Sequence, residues 1–107
     1  MTTPEIEELT MLHNNICQAL GDPKRIQILY ALHEQPHHVT ALACALNTPQ
    51  PTISRHLRVL RQRSLVLTKR DGPAVIYRLA NPAIIEILNA MRQILRDTLK
   101  RQSNILA

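Results

Sequence analysis

Two short amphipathic segments separated by a tight break constrain the fold of this chain more than any other feature. Apolar residues recur at helical spacing over residues 39–46 and again over 49–63, and Asn47 closes the first segment. Thr48 and Pro49 then open the second segment, whose apolar stripe consists of Ile53, Leu57 and Leu60. The spacing predicts two short helices joined by a tight turn, which is a helix-turn-helix.

Further helices are predicted on either side of this unit. The pattern predicts a first helix over residues 4–20, with Thr3 as its N-cap, and a second helix over residues 23–34, capped by Asp22. A last, long helix is expected to run from its cap at Asn81 to Gln102.

The segment between the basic helix and the last helix is predicted to be a β-hairpin. Residues 65–69 and 75–79 are rich in β-branched side chains, and the turn between them includes Gly72, which is free to take a positive φ. Residues 37–38 are expected in a turn. The element order is then α-α-α-α-β-β-α: a mainly α fold with a β-hairpin wing, in a single domain of residues 1–107.

The composition predicts an aliphatic core. The chain of 107 residues has no Phe or Trp and only two Tyr, although 45% of its residues are hydrophobic. That composition favours packed helices over a β-sandwich. The last helix carries an apolar stripe that is too long for one small domain to cover, so a second copy is expected to bury it. The stripe consists of Ile84, Ile87, Leu88, Met91, Ile94, Leu95 and Leu99.

Basic side chains are concentrated in the second half of the chain. Residues 1–50 hold two basic and five acidic side chains, whereas residues 51–107 hold eleven basic and three acidic ones. The excess is densest between Arg55 and Arg78, where Asp71 is the one acidic residue. A local positive field of this kind attracts polyanions such as DNA.

The outer face of the second helix of the helix-turn-helix carries side chains suited to reading DNA. The residues near a recognition helix N-terminus reach base edges in the major groove, and here these are Gln50, Thr52, Ser54 and Arg55. Further along this helix, Arg58 and Arg61 are expected to hold phosphates. At the tip of the wing, Lys69 and Arg70 are expected to reach the adjacent backbone or minor groove.

Two segments of the chain resemble the signature segments of the ArsR/SmtB family of bacterial repressors. They are ALGDPKRIQIL over residues 19–29 and QPTISRHLRVL over residues 50–60, and the similarity extends over roughly Leu9 to Gln102. The resemblance implies a winged helix-turn-helix homodimer that pairs through its first and last helices. It also implies binding to an imperfect palindrome that overlaps a promoter, relieved by an inducer.

Residue by residue, the resemblance assigns DNA-facing positions and reveals one departure. His56 joins the DNA-facing set, although the same ring can instead pack or hydrogen-bond where the helix meets the wing. Ser64 stands where the family usually has glycine, and a left-handed backbone at this position would strain it modestly. The matching positions are Gln50, Thr52, Ser54, Arg55 and His56.

Ligand sites known in the family have no counterpart in this sequence. One of these sites has Cys-x-Cys at the start of the third helix, where this chain has His38 and Thr40. Another needs histidine in the last helix, and residues 81–102 contain none. A thiol switch between the second and last helices is also ruled out, because neither predicted helix contains cysteine.

His13, Cys17 and Cys44 remain as candidate sensing residues. His13 and Cys17 are four residues apart and so share one helix face, and with Cys44 they would form a Cys₂His site for a thiophilic metal or metalloid such as zinc, copper(I) or arsenite. Alternatively, the two cysteines form a thiol redox switch without a cofactor, through a disulfide or a persulfide. In a third reading both are buried apolar residues without a sensing role.

Two other function classes lack support in the sequence. With only two glycines, no glycine-rich phosphate loop and no evident carboxylate pair, the chain is not expected to be an enzyme.

No apolar run approaches the ~20 residues that span a bilayer, and the glutamates near the N-terminus are unlike a signal peptide. We therefore expect a cytoplasmic regulator whose partners are double-stranded DNA and a second copy, with no membrane. The alternatives are a ligand-independent regulator and a winged-helix protein-interaction module.

Overall fold

The computed structural model describes residues 2–106 of the chain, including the side chains of residues 2–104. Five α-helices, a π-helical segment and three strands follow one another in the order α-π-α-β-α-α-β-β-α. They are α1 (Ile6–Leu12), the π-helical segment (His13–Cys17), α2 (Pro23–Glu34), β1 (His37–His38), α3 (Val39–Ala45), α4 (Gln50–Gln62), β2 (Val66–Asp71), β3 (Ala74–Leu79) and α5 (Ala83–Leu106).

The sheet has three strands rather than the two predicted. Its order is β1-β3-β2, with both pairings antiparallel, so that β3 is the central strand. His37 and His38, which were expected in a turn, pair with Tyr77 and Ile76 and form β1. The prediction was wrong because a two-residue strand is defined by its partner across the sheet rather than by a local sequence period.

The first helix differs from its prediction at both ends. It begins at Ile6, with Glu5 as an N-cap that makes no side-chain capping bond, so Thr3 is not the cap. The α-helical part ends at Leu12, and the chain continues as a π-helical segment in which the backbone N–H of Gln18 donates to the carbonyl of His13 at 2.8 Å. No residue of α1 is buried, so packing within the protomer contributes little to the stability of this helix.

The core is aliphatic, as the composition predicted. The residues with almost no exposure come from α2, α3, α4 and β2, and α5 adds its first turns. A polar contact also ties α2 to α5, because the Tyr30 hydroxyl donates to Asn89 Oδ1 at 2.6 Å while the Arg92 guanidinium lies 5.2 Å from the centre of the Tyr30 ring. The most deeply buried side chains are Ile28, Leu29, Leu42, Ile53, Leu57, Leu60 and Val66.

Two non-glycine residues with positive φ end the helices of the helix-turn-helix. Asn47 (φ 48°) follows α3 and Ser64 (φ 59°) follows α4, so the left-handed conformation anticipated at Ser64 is confirmed. After α4, the N–H of Ser64 donates to the carbonyl of Arg61 and the N–H of Leu65 to that of Leu60, the paired bonds of a Schellman motif. The sharp exit directs the chain from the basic helix into β2.

Glycine at position 64 is expected to stabilise the fold. A left-handed conformation costs an L-residue roughly 1–2 kcal/mol, which glycine avoids at the expense of greater freedom in the unfolded chain. We expect Ser64→Gly to raise the free energy of unfolding by about 0.5–1 kcal/mol in urea titrations. Ser64→Val is the matched test. A β-branched residue tolerates positive φ poorly, so this variant should have a lower free energy of unfolding than the wild type. Equal stabilities for the three proteins would contradict strain at this position.

Candidate DNA interface

Helix α4 is held by one buried stripe and presents its other faces to solvent. Ile53, Leu57 and Leu60 are buried in the core, which fixes the rotation of the helix about its axis. The Schellman turn at Asn47, in which the N–H of Thr48 donates to the carbonyl of Ala43, sets the angle at which the chain leaves α3. Together these contacts determine which side chains of α4 face outwards.

The structure places the residues predicted to contact DNA on the outer faces of α4. Along the helix, Arg55 Nη2 donates to Thr52 Oγ1 at 3.3 Å, so two of the predicted base-reading side chains are already in contact. Gln50, Arg55, Arg58 and Arg61 are exposed, and Thr52, Ser54 and His56 are half-buried. This arrangement forms a polar and basic surface with the dimensions of a helix, which the major groove of B-DNA admits.

The wing carries its two predicted cations at the end of β2. Lys69 and Arg70 are both exposed, one and two residues before Asp71. The hairpin loop is only Gly72 and Pro73, since Asp71 pairs with Ala74; the predicted turn was therefore too long. Gly72 has φ 62° at the first central position, as a two-residue type II′ loop requires.

A contact between β1 and the wing involves the one acidic side chain of the wing. His38 Nε2 lies 3.0 Å from Asp71 Oδ2, and the two side chains are 35% and 62% exposed. Exposed pairs of this kind contribute little to stability. The contact nevertheless gives the Asp71 carboxylate a partner on β1, and Lys69 and Arg70 beside it are both exposed.

His56 contacts α2 rather than the wing. Its Nδ1 lies 3.5 Å from Arg25 Nη1, and the same guanidinium donates from Nε to the carbonyl of Ala19 at 2.6 Å and from Nη2 to the carbonyl of Gln18 at 3.4 Å. The contact proposed at the junction of helix and wing is thus replaced by one with Arg25. Arg25 was not among the predicted site residues, although this arginine lies within the first signature segment.

Asp22 completes this cluster at the N-terminus of α2. Its Oδ1 accepts from the backbone N–H of Lys24 at 2.8 Å, which confirms Asp22 as the N-cap. That hydrogen bond lowers the pKa of the Asp22 carboxyl below its usual value, desolvation opposes the shift, and positive charge on His56 and Arg25 adds to the lowering. The cluster therefore joins the start of α2 electrostatically to α4.

The predicted apolar stripe of α5 divides into a buried and an exposed part. Ile84 and Leu88 of the stripe pack into the core, together with Ile85. Ile87 and the stripe residues from Met91 onwards are about half exposed or more, with Ile94 at 62%. On α1, Ile6, Leu9, Met11 and Leu12 are exposed as well. An exposed apolar surface of this size on two adjoining helices indicates a surface that another chain covers.

The two cysteines are not core residues of the protomer. Cys17 and Cys44 are both exposed and free in the protomer, so the reading in which both are buried apolar residues does not hold within one protomer. Each has a buried or half-buried neighbour on the same helical segment, Ile16 and Leu42 respectively, so the inward face is already occupied. Cys17 also contributes to the wall of an apolar cavity of about 360 Å³ between the π-helical segment and α5.

The predicted Cys₂His site does not form within one protomer. Among residues 2–106, no three His, Cys, Asp or Glu side chains come together in a way that could hold a metal ion. His13 and Cys17 share the π-helical segment, but they do not meet Cys44 of α3 in such a group. Within residues 2–106, no helix is long and apolar enough to cross a membrane.

Comparison with known proteins places this fold and surface in a family. The family model described as "Bacterial regulatory protein, arsR family" matches residues 22–67, from the N-cap of α2 into β2. The nodulation protein NolR of Rhizobium meliloti is 34% identical over 94 residues, which is 88% of this chain and 77% of NolR. The chain belongs to the ArsR family. The match includes the whole of the second signature segment and residues 22–29 of the first.

Solved structures of similar proteins superpose on nearly the whole chain. The crystal structure of Rv0081 from Mycobacterium tuberculosis matches with a TM-score of 0.76 and 31% identity, covering 94% of this chain and 98% of that one. A solution structure of Mb0332 from Mycobacterium bovis, described as a homodimeric winged helix-turn-helix DNA-binding domain, matches with a TM-score of 0.71 and 28% identity, covering 91% of both chains. The winged helix-turn-helix fold is thereby confirmed.

Proposed function

We propose that this ArsR-family chain is a sequence-specific DNA-binding repressor that works as a homodimer on an imperfect palindrome at a promoter. The observation that carries the proposal is the outer surface of α4, which carries exposed Gln50 and Arg55, with the half-buried Thr52 accepting a hydrogen bond from Arg55. Arg pairs in bidentate fashion with guanine and Gln with adenine. The protein is a cytoplasmic regulator without catalytic activity, formed by one domain of residues 1–107.

Phosphate contacts are assigned to the basic side chains around this reading surface. Arg58 and Arg61 follow Arg55 along α4, and Lys69 and Arg70 approach from the wing. Contacts of this type fix the position of a protein on DNA without reading its sequence. Ser54 and His56 are half-buried on α4 and complete the proposed DNA-facing set.

The homodimer is proposed to form through α1 and α5. Their exposed apolar residues leave a surface that the protomer does not cover, and the relative from Mycobacterium bovis is described as homodimeric. A twofold dimer presents two α4 helices to the same side of a duplex, so the centres of its half-sites lie about one helical turn apart, ~34–36 Å. Bound there, the dimer represses by occluding RNA polymerase.

Removal of a wing cation is expected to weaken binding to all DNA sequences alike. Lys69 is exposed and is assigned to the DNA backbone. We expect Lys69→Ala to reduce the slope of log K against log salt concentration by about one unit, because each phosphate contact releases roughly 0.9 counterions. Fluorescence anisotropy between low and moderate salt measures the slope. A loss confined to the specific site, with the slope unchanged, would contradict a phosphate role for Lys69.

Treating the protein–DNA complex with candidate inducers identifies the chemistry that releases the protein from DNA. Exposed Cys17 and Cys44 are accessible to an oxidant, a persulfide, zinc, copper(I) or arsenite. Release by one of these that disappears in Cys17→Ser or Cys44→Ser identifies the inducer chemistry and the thiol. If His13→Ala abolishes release by metal as well, the His13–Cys17 pair takes part. Binding that is indifferent to all five identifies a ligand-independent regulator.

Anisotropy with the reduced protein tests the proposal as a whole. The duplex lies upstream of the gene that encodes this chain, and a random duplex of equal length is the control. We expect binding to the upstream duplex at least ~10³-fold tighter than to the random one, in the usual range for specific recognition. Equal and weak affinity for both would exclude the upstream duplex as the operator. A protein-interaction module would be favoured if selection from random duplexes also enriched no sequence.

A further inference from the structure

We propose that Arg25 is a positioning residue that sets DNA affinity through His56 without touching DNA. The inference rests on the proposed function and adds to it a residue that lies on α2, outside the reading helix and the wing. Arg25 is the one guanidinium of the first signature segment, and it lies against the end of the N-terminal helical segment and against α4 at the same time.

The contacts of Arg25 occupy all three of its nitrogens. Nε donates to the carbonyl of Ala19 at 2.6 Å, Nη2 donates to the carbonyl of Gln18 at 3.4 Å, and Nη1 faces His56 Nδ1 at 3.5 Å. The side chain is half-buried, whereas the arginines assigned to phosphates are exposed. Because these contacts hold the guanidinium against the N-terminal segment and α4, we assign its effect on DNA binding to the groups that it holds.

The geometry of the contact also determines how His56 presents its ring. Arg25 Nη1 is a donor, so the facing Nδ1 accepts only when it carries no proton. When Nδ1 accepts from Arg25, the ring proton lies on Nε2, so the contact favours one tautomer and one orientation of the ring. Because His56 follows Arg55 directly on α4, fixing this ring also restrains the part of the helix that is assigned to base reading.

The same guanidinium connects α4 to the segment that leads into the dimer surface. The carbonyls of Gln18 and Ala19 lie immediately after the π-helical segment, and Leu12 and Cys17 before them adjoin α5 at the apolar cavity. Lysine at position 25 retains the positive charge but has a single nitrogen, which cannot satisfy three acceptors in this fork arrangement. Arg25→Lys thus separates the geometry of the contact from its charge.

The test compares wild type, Arg25→Lys, His56→Leu and the double variant by anisotropy on the upstream duplex and a random duplex over a range of salt. We expect Arg25→Lys to weaken binding to the upstream duplex about tenfold, because a His56 ring that is no longer held must be ordered when DNA binds. The salt slope and the dimer should be unchanged. In the His56→Leu background the same substitution should have no further effect, because coupled residues are not additive. Lys24→Gln, which neutralises the neighbouring cation, should behave as wild type.

Several outcomes would overturn the inference. Wild-type affinity in Arg25→Lys would remove the positioning role, and a salt slope lower by about one unit would make Arg25 a phosphate contact instead. A tenfold loss that persists in the His56→Leu background would show that Arg25 does not act through His56. These results concern Arg25 alone, whereas a wild-type protein that enriches no sequence from random duplexes contradicts the proposed function and the inference together. Thermal unfolding of each variant checks that all are folded at the assay temperature.

Discussion

Replacing Ile94 with glutamate is expected to convert the protein into monomers and to lower its affinity for the operator at least ~100-fold. Ile94 lies midway along α5 with 62% of its side chain exposed in the protomer, so a glutamate there is solvated in the monomer. In the dimer the same carboxylate would enter an apolar interface without a partner, which is strongly unfavourable. With one half-site contacted at a time, the gain from binding two linked half-sites is lost.

Sedimentation velocity and operator binding measure the two effects of Ile94→Glu, and circular dichroism checks that the helices remain. Gln93→Glu is the matched control, because the residue is exposed and neighbouring positions on a helix face directions about 100° apart. It introduces the same side chain away from the apolar stripe and should leave both dimer and affinity unchanged. A dimeric Ile94→Glu protein with full operator affinity would contradict the assignment of α5 to the dimer interface.

Replacing Arg55 with alanine is expected to lower sequence discrimination while leaving non-specific binding nearly intact. Arg55 is exposed in the second turn of α4, and its Nη2 donates to Thr52 Oγ1 on the same outer surface. A bidentate contact from arginine to guanine provides about 1–3 kcal/mol of discrimination, so operator affinity should fall roughly five- to 150-fold.

The control for Arg55→Ala is Arg61→Ala, which removes the same side chain two turns later on the same helix. Arg61 is assigned to phosphate, so its loss should weaken operator and random DNA by similar factors and lower the salt slope. Competition binding with operator and random duplexes distinguishes the two patterns. Equal losses on both duplexes for Arg55→Ala would exclude Arg55 from base reading.

The sequence predicted those elements whose residues carry their own periodic signal. The stripe of Ile53, Leu57 and Leu60 repeats at the helical period, and it fixed both the extent of α4 and its outward face correctly. The Asp22 cap and the left-handed Ser64 were also predicted, because both depend on the chemistry of one residue and its immediate neighbours.

The features that sequence reasoning missed depend on contacts between distant residues. Strand β1 exists because His37 meets Tyr77 across the sheet. The three partners of Arg25 lie six, seven and 31 residues away along the chain, so no local pattern identifies them. The π-helical segment needs one additional residue per hydrogen-bonded turn, for which the apolar spacing of α1 gives no signal.

The exposure of the two cysteines also depends on contacts between distant residues. Their surroundings in the sequence, Ile16 beside Cys17 and Ala43 beside Cys44, favoured burial. In the fold, the inward positions of both segments are taken by other apolar residues, which turns the thiols outwards. Cysteine is apolar enough for either side of a short helix, so its position depends on how the neighbouring helices pack.

Selection of binding sites from a pool of random duplexes tests the central claim most directly, because it presupposes no operator. The reduced wild-type protein is incubated with the pool at moderate salt, and the bound duplexes are amplified and sequenced over several rounds. Two recognition helices related by a twofold axis predict an enriched imperfect palindrome whose half-site centres lie about 34–36 Å apart. Enrichment of no sequence at all, or of a lone half-site without its inverted repeat, would contradict a sequence-specific dimeric regulator.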